Sequence, residues 1–404
     1  PDRPEYTLNL ASASSNYGGV LVDLARYSEA QPILKKAIEL DEGLAARSPD
    51  DRQVRFNLAK TRFNLGYLHL KRNRFDEAVA EIEKARDLNA TLVAELPDVP
   101  RYAHLQSTYL VRLGEALDAS GKPGSEPAYR GALELLQQLT SKHPDNAGYI
   151  LDLARCLGAL GNQELAVGKP EEAGKDFEAE VARLDALAAK AKPSAEALRE
   201  TSIALSNLGS VRQALGAGDA EGPIRRAVAI SEGLAGGGSP SPQDAESLAV
   251  ARGSLAEALQ ARKAADEAAP LFEQSIAGLS GLVEKSPADA RLRYFLGYML
   301  AQQAAARPDE KLAEARAGLD SSVDHLRQAV ELTAGRTPAY RELLAGALEA
   351  LADVELKQAA YEDARRVAME IPRAGVQPAP GRLVAAKLLA RMAALAHADA
   401  KLAP

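Results

Sequence analysis

Tryptophan is absent from the 404 residues, aromatic side chains make up 4%, and a single cysteine, Cys156, stands alone. One thiol excludes an intramolecular disulfide framework and any multi-cysteine metal site. It lies in the apolar run LDLARCLGAL, where a buried structural thiol is expected in place of a reactive one. No stretch of about 20 apolar, uncharged residues occurs, so no segment is expected to insert in a membrane. The N-terminus lacks the basic, apolar, then small-residue order of a secretory signal, which points to a cytoplasmic location. Net positive charge is lacking as well. A formal charge of −7 argues against whole-surface binding of nucleic acid or anionic lipid.

What remains is 46% hydrophobic and 26% charged residues, enough to pack a core and stay dissolved. The apolar share is mostly Ala and Leu, which favours helices packed through small side chains over a sheet. Tyr17-Gly18, Leu65-Gly66, Leu113-Gly114, Leu160-Gly161, Leu208-Gly209 and Leu255-Ala256 follow one another at intervals of 48, 48, 47, 48 and 47 residues. So small a drift fixes a supersecondary unit repeated along one axis.

The second unit shows the content best: RFNLAKTRFNLGYLHL, a short basic turn, then FDEAVAEIEKARDL. Apolar residues recur three and four apart in both halves, with Phe75, Ala78, Val79, Ile82 and Ala85 marking one face, so each unit is two amphipathic helices with facing stripes. Small residues fall where the helices would cross: Gly18, Ala30 and Ala37 in the first unit, Gly66, Ala78 and Ala85 in the second. A Leu there would overpack the crossing by about 1–3 kcal/mol. Ser48-Pro49, Leu96-Pro97, His143-Pro144, Lys192-Pro193, Ser286-Pro287 and Thr337-Pro338 punctuate the boundaries, and these prolines are expected in the first turn of the following helix. Pro1, Pro49, Pro97 and Pro144 each stand 17 residues before the small residue.

Gly18, Ala30, Ala37 and Pro49, with Gly66, Ala78, Ala85 and Pro97, resemble the tetratricopeptide repeat (TPR), a resemblance that extends along nearly the whole chain. The copies lack the usual aromatic four residues before the glycine in most units, and their period of about 48 exceeds the family's 34. The excess implies helices near 20 residues, or about 30 Å, each. The resemblance implies an all-α, right-handed superhelical solenoid of about eight helix-turn-helix repeats. Repeats one to five fill 1–232, a Gly/Ser/Pro linker 233–244 (GLAGGGSPSPQD) forms a flexible joint, repeats six to eight fill 245–371, and a capping helix occupies 381–401. Unit seven reads two ways. RYFLGY (293–298) imitates RFNLGY (62–67), whereas counting 17 from Pro287 reaches Ala304, with extra residues placed in its first turn.

Catalytic signatures are missing. His69, His104, His143, His325 and His397 show no HExxH or HxH spacing, so no metal site is expected. GNQELAVGKP and SGKPGS lack the GxxxxGK[ST] order of a phosphate loop, and no cofactor is implied. There is no GxSxG, HRD or DFG. A non-catalytic scaffold that binds a protein or peptide follows as the functional expectation.

One charge feature stands above the background. Arg52, Arg55, Lys60, Arg62, Lys71, Arg72 and Arg74 occur within 23 residues without an acid. Two readings stand side by side: a solvated face balanced by acids on a neighbouring helix, and a landing site for an acidic or phosphorylated peptide. In the TPR family the first helix of each unit lines the concave groove through positions six and three before the glycine equivalent and one and four after it. Carried onto this chain, that implies Lys60, Phe63, Tyr67 and Leu70, with Lys71 adjacent, and Arg155, Gly158, Asn162 and Leu165. Asn64 and Asn207 resemble one element of the carboxylate-clamping arrays, but the Lys and Arg partners are not reproduced.

The chain begins PDRPEY, and the junction before unit three reads PDVPRY. Long-period arrays with such PDxPxY junctions resemble the C-terminal tails of bacterial, planctomycete-type Ser/Thr protein kinases. The alternative expectation is therefore a regulatory or self-associating segment cut from a larger multidomain enzyme.

Overall fold

A computed structural model describes residues 3–190, 192–238 and 240–402. Pro1 of the boundary series and Ser239 of the glycine-rich linker lie outside the described residues. Among those described there are seventeen α-helices and no strand, arranged as eight helical hairpins and a final helix. Two compact units divide the chain between Pro193 and Ser194.

The first unit holds four hairpins: α1 (Pro4–Asp23) with α2 (Tyr27–Arg47), α3 (Arg52–Lys71) with α4 (Phe75–Glu95), α5 (Pro100–Ser120) with α6 (Ser125–Lys142), and α7 (Ala147–Ala166) with α8 (Pro170–Lys190). The second holds α9 (Ala195–Leu215) with α10 (Glu221–Ala235), α11 (Pro242–Ala261) with α12 (Ala265–Lys285), α13 (Ala290–Ala305) with α14 (Leu312–Leu332), and α15 (Pro338–Lys357) with α16 (Tyr361–Ala374). The final helix α17 (Pro378–Leu402) packs on α16 and α15. The glycine-rich stretch sits inside the second unit, and α10 and α11 on either side of it pack together.

The hairpin interior follows from the small residue. A Cβ on Gly66 would stand 2.6 Å from Ile82, one on Gly114 2.6 Å from Tyr129, and one on Gly161 2.9 Å from Phe177. Each glycine opens a notch that one large side chain of the second helix fills. Leu34, Ile82, Tyr129, Phe177 and Ile224 are all buried in this role. The notch brings the axes close, so the two apolar stripes can interdigitate.

The turns share one device. Seven residues after the small residue the backbone is left-handed at Ala25, Asn73, Gly121, Gly168, Gly216, Lys263 and Ala359. The next amide reaches back five residues in each, as in Arg74 to the His69 carbonyl and Ala360 to that of Glu355. This Schellman closure satisfies helix-end carbonyls. The phosphate-loop look-alikes at Gly121-Lys122 and Gly168-Lys169 are two of these turns.

Unit seven differs at its turn and not at its start. Helix α13 begins three residues after Pro287, as α3 begins three after Pro49, and ends one residue after the buried Ala304. Asp309–Lys311 then forms a short 3-10 turn before α14. Ala304 is thus the equivalent of Gly66, 48 residues from both Ala256 and Ala352, and no extra residues enter the first turn. Gly297, which RYFLGY suggested, lies seven residues earlier on the same face, against Leu326 and the Ser322 carbonyl.

The boundary prolines also sit elsewhere than expected in units two to five and seven: Pro97 of unit three lies two residues before the Val99 cap, and Pro193 of unit five directly before the Ser194 cap. Pro49, Pro144 and Pro287 lie in a tight turn two residues before the N-cap, closed by Asp51, Asn146 and Asp289 amides bonding to the Ser48, His143 and Ser286 carbonyls. The caps are Asp51, Asn146 and Asp289, whose side chains accept from the first-turn amides. An aspartate or asparagine accepts such amides well, so the Ser-Pro pair shapes the turn and leaves capping to the residue after it. Pro338 of unit eight does occupy the first turn.

Candidate functional site

Within each unit the first helices of successive hairpins touch one another, α1 on α3, α3 on α5 and α5 on α7, and likewise α9 on α11, α11 on α13 and α13 on α15. Among the described residues, second helices make no comparable contact with each other. A layer whose members lie closer together is the inner one of a curved stack, so the first-helix layer is the concave side of each unit.

Helix α3 parts the basic run of the sequence between its faces. Arg62 bridges Glu42 of α2 and Glu81 of α4, the latter at 2.6 Å. Arg55 meets Glu95 at 2.7 Å and Arg52 meets the same carboxylate at 2.9 Å. Those two guanidiniums hold the Glu95 carboxyl down at about 2. Arg72 donates to Gln31 at 3.1 Å, while Arg74 is the N-cap of α4. Most of the patch is thus tied to second helices.

Lys60 and Lys71 lie on the other face. Lys60 donates to Asn16 of α1 at 2.5 Å, and burial, with Arg101 nearby, lowers its pKa. Lys71 stands 5.0 Å from the centre of the Tyr67 ring. Phe63 stacks on Tyr109 of α5 with centroids 4.5 Å apart and on Tyr67 at 6.2 Å. Arg101 of α5 covers the Phe56 ring at 3.8 Å, and Phe56 meets Tyr102 edge-on at 5.8 Å. Arg112, paired with Glu115 at 2.6 Å, reaches the Tyr67 ring at 5.6 Å. Among the described residues no ion pair involves Lys60, Lys71 or Arg101. At the α3–α5 seam the half-buried Phe63 and Tyr67 therefore lie over the buried Phe56 and Tyr109, edged by three cations that stand outside any ion pair.

The structure thus brings Lys60, Phe63, Tyr67 and Lys71 together. Leu70 packs into the core beside Tyr109 and Leu113. Arg155 and Asn162 stand on α7, beyond α5; Arg155 lies 3.6 Å from Asp152, itself bonded to His104 at 2.7 Å, and Asn162 is exposed. Gly158 faces its own second helix, where a Cβ would stand 2.8 Å from the Glu180 carboxylate. Arg101, Tyr109 and Arg112 were absent from the sequence reading because the family positions treat each unit alone. Their signal was available: Phe63 and Tyr109 are about one period apart, and neighbouring first helices align residues so spaced.

The inner layer of the second unit is different. Tyr294 of α13 stacks on Tyr340 of α15 at 4.7 Å. Glu257 of α11 is bonded to Tyr298, burial lifts its carboxyl to about 7, and its Oε1 has no hydrogen-bond partner. Among the described residues no group of His, Cys, Asp and Glu could hold a metal, and no helix is long and apolar enough to cross a membrane. Cys156 is fully buried with its Sγ 3.4 Å from the Tyr129 carbonyl, and burial pushes the thiol up to about 12.

These features define an all-α array of helix-turn-helix repeats with a polar and aromatic inner face. Residues 11–43 and 59–91 match the tetratricopeptide repeat family. Both stretches centre on a hairpin tip, so the residues beyond the family's length extend the helices at the opposite, open end. Among solved structures the chain is similar to the apo form of the quorum sensor NprR from B. thuringiensis, at 15% identity over 90% of this chain and 86% of that one, with a TM-score of 0.56. It is also similar to the apo form of RapI, at 12% identity over 80% of this chain and 99% of that one, with a TM-score of 0.52. No curated protein matches. These neighbours give the resemblance to kinase tails no support.

Proposed function

We propose that the protein is a non-catalytic scaffold whose first unit holds an extended acidic peptide along the α3–α5 seam. One observation carries the reading: Lys60, Lys71 and Arg101 edge the half-buried Phe63 and Tyr67, which lie over the buried Phe56 and Tyr109, and are not neutralised by an acid. Such a surface offers a carboxylate charge-assisted hydrogen bonds and an apolar residue an aromatic bed. Burial already disfavours the charge on Lys60, so an incoming carboxylate gains from a cation that is poorly solvated. NprR, with which the chain shares its fold, is a quorum sensor, which supports a receptor role for such an array.

The test is fluorescence anisotropy with a labelled Asp/Glu-rich peptide that carries one Leu. Lys60→Ala with Arg101→Ala should weaken binding by about 100-fold, from two charge-assisted bonds at about 1.5 kcal/mol each. Arg52→Ala with Arg55→Ala should leave it within about twofold, since both already serve Glu95. Equal losses from the two pairs would sink the assignment.

A further inference from the structure

The second helices α14 and α16 of two successive hairpins leave a cavity of about 520 Å³ between them, over α15. Val330, Leu344, Met369 and Ala374 form its apolar wall, and Arg341, Arg366 and Arg373 stand around it. Glu370, the carboxylate on its rim, is already held by Nε and Nη2 of Arg327, each at 3.1 Å. Arg366 shares Asp363 with Arg316. Among the described residues no ion pair involves Arg341 or Arg373.

The repeat register shows why Arg341 lacks a carboxylate. It stands 11 residues before Ala352, as Arg55 stands 11 before Gly66. Arg55 meets Glu95, the last residue of the 21-residue α4. Helix α16 has 14 residues with Pro372 in its last turn, and the counterpart of Glu95 is Gly381, inside α17. Arg341 instead donates from Nε to the Ala374 carbonyl at 3.1 Å and from Nη2 to the Gly375 carbonyl. Two carbonyls orient the half-buried guanidinium without cancelling its charge, and three of its N–H donors stay unused. The corresponding groove of the third and fourth hairpins has about 300 Å³, and Ile150 takes the place of Arg341 there.

We propose that the cavity beside α15 binds a small aliphatic carboxylate. One oriented guanidinium suits one negative charge, and its free donors offer the head group charge-assisted hydrogen bonds. The wall of Val330, Leu344 and Ala374 carries no aromatic ring and suits a flexible chain. Met369, 58% exposed, has the unbranched, polarisable side chain that adapts to such a ligand.

Isothermal titration calorimetry of the 404-residue chain with sodium octanoate should give one site with a Kd between about 10 µM and about 1 mM. Arg341→Gln, which can still donate to the Ala374 carbonyl, should weaken binding about tenfold or more. Met369→Glu should weaken it by a similar factor with an unchanged thermal melt, because it sets a carboxylate beside the ligand from an exposed position. Arg55→Gln, at the same repeat position in the second hairpin, should leave the Kd within about twofold. Octanol, without the charge, and acetate, without the chain, should each bind at least about tenfold more weakly. No binding up to about 10 mM octanoate, a Kd unmoved by both groove substitutions, or octanol bound as tightly as octanoate would each overturn the proposal. Octanoate should not displace the labelled acidic peptide from the α3–α5 seam, so the two sites fail or stand separately. Displacement would overturn the assignment to this cavity.

Discussion

The two compact units share one packing frame and differ in what they place on its inner face. In the first unit Gly66 makes room for Ile82; in the second Gly209 makes room for Ile224, and the turns close in the same way. Yet the α3–α5 seam holds Lys60, Lys71 and Arg101 beside aromatic rings, whereas α11 and α13 bury an acid, Glu257, beside Tyr298. The frame is fixed by apolar notches in hairpin interiors. The inner face is free of that constraint, so its chemistry can change from hairpin to hairpin without cost to the stack.

The shared frame is where substitution should cost most. A Cβ on Gly209 would stand 2.6 Å from the Ala220 carbonyl oxygen and collide with Ile224, and the backbone cannot give way as a side chain might. Gly209→Val should therefore destabilise by about 3 kcal/mol, read as a lowered urea midpoint and faster hydrogen exchange in α9 and α10. Gly66→Val should cost a similar amount, and tolerance at one site alone would break the equivalence of the units.

The difference between the faces is tested by pH. Glu257 has its carboxyl raised from 4.5 to about 7, so the folded chain keeps a proton that the unfolded chain has released. The contribution of this group is complete below about pH 4.5 and is lost as pH rises through 7. Glu257→Gln, neutral throughout, should therefore gain on the parent chain by about 1–3 kcal/mol between pH 5 and 8. Parallel melting curves for the two proteins across that range would remove the buried acid from the account.

The smallest effect sharpens the frame itself. Ala25 and Ala359 take the left-handed conformation that glycine supplies at Gly121, Gly168 and Gly216. Ala359→Gly should stabilise by about 0.5–1 kcal/mol, the relief of the Cβ clash less the greater entropy of glycine in the unfolded chain, seen as a melting temperature raised by a degree or two.

Much of this was legible in the residues. The 48-residue interval located the hairpins, and the Gly18 and Gly66 spacing to Ala30 and Ala78 identified the helix crossings. Both are rules of local size and period, which a linear string records directly. Unit seven was harder: RYFLGY matched a consensus seven residues out of phase, and only the seating of Ala304 beneath α14 settled its register. The basic run from Arg52 to Arg74 was harder still. Its seven residues are neighbours in the string, but a helix turns by about 100° per residue, and Glu42, Glu81 and Glu95 come from other helices.

By itself the sequence determined the helical class, the repeat length, the count of hairpins and the small residues at each crossing, because these depend on side-chain volume and periodicity within one unit. Only the tertiary structure decided which cations are neutralised and which remain available, and that Arg101 and Tyr109 join Lys60 and Phe63. Those outcomes depend on which helix lies beside which, and charge pairing and burial are properties of neighbours in space.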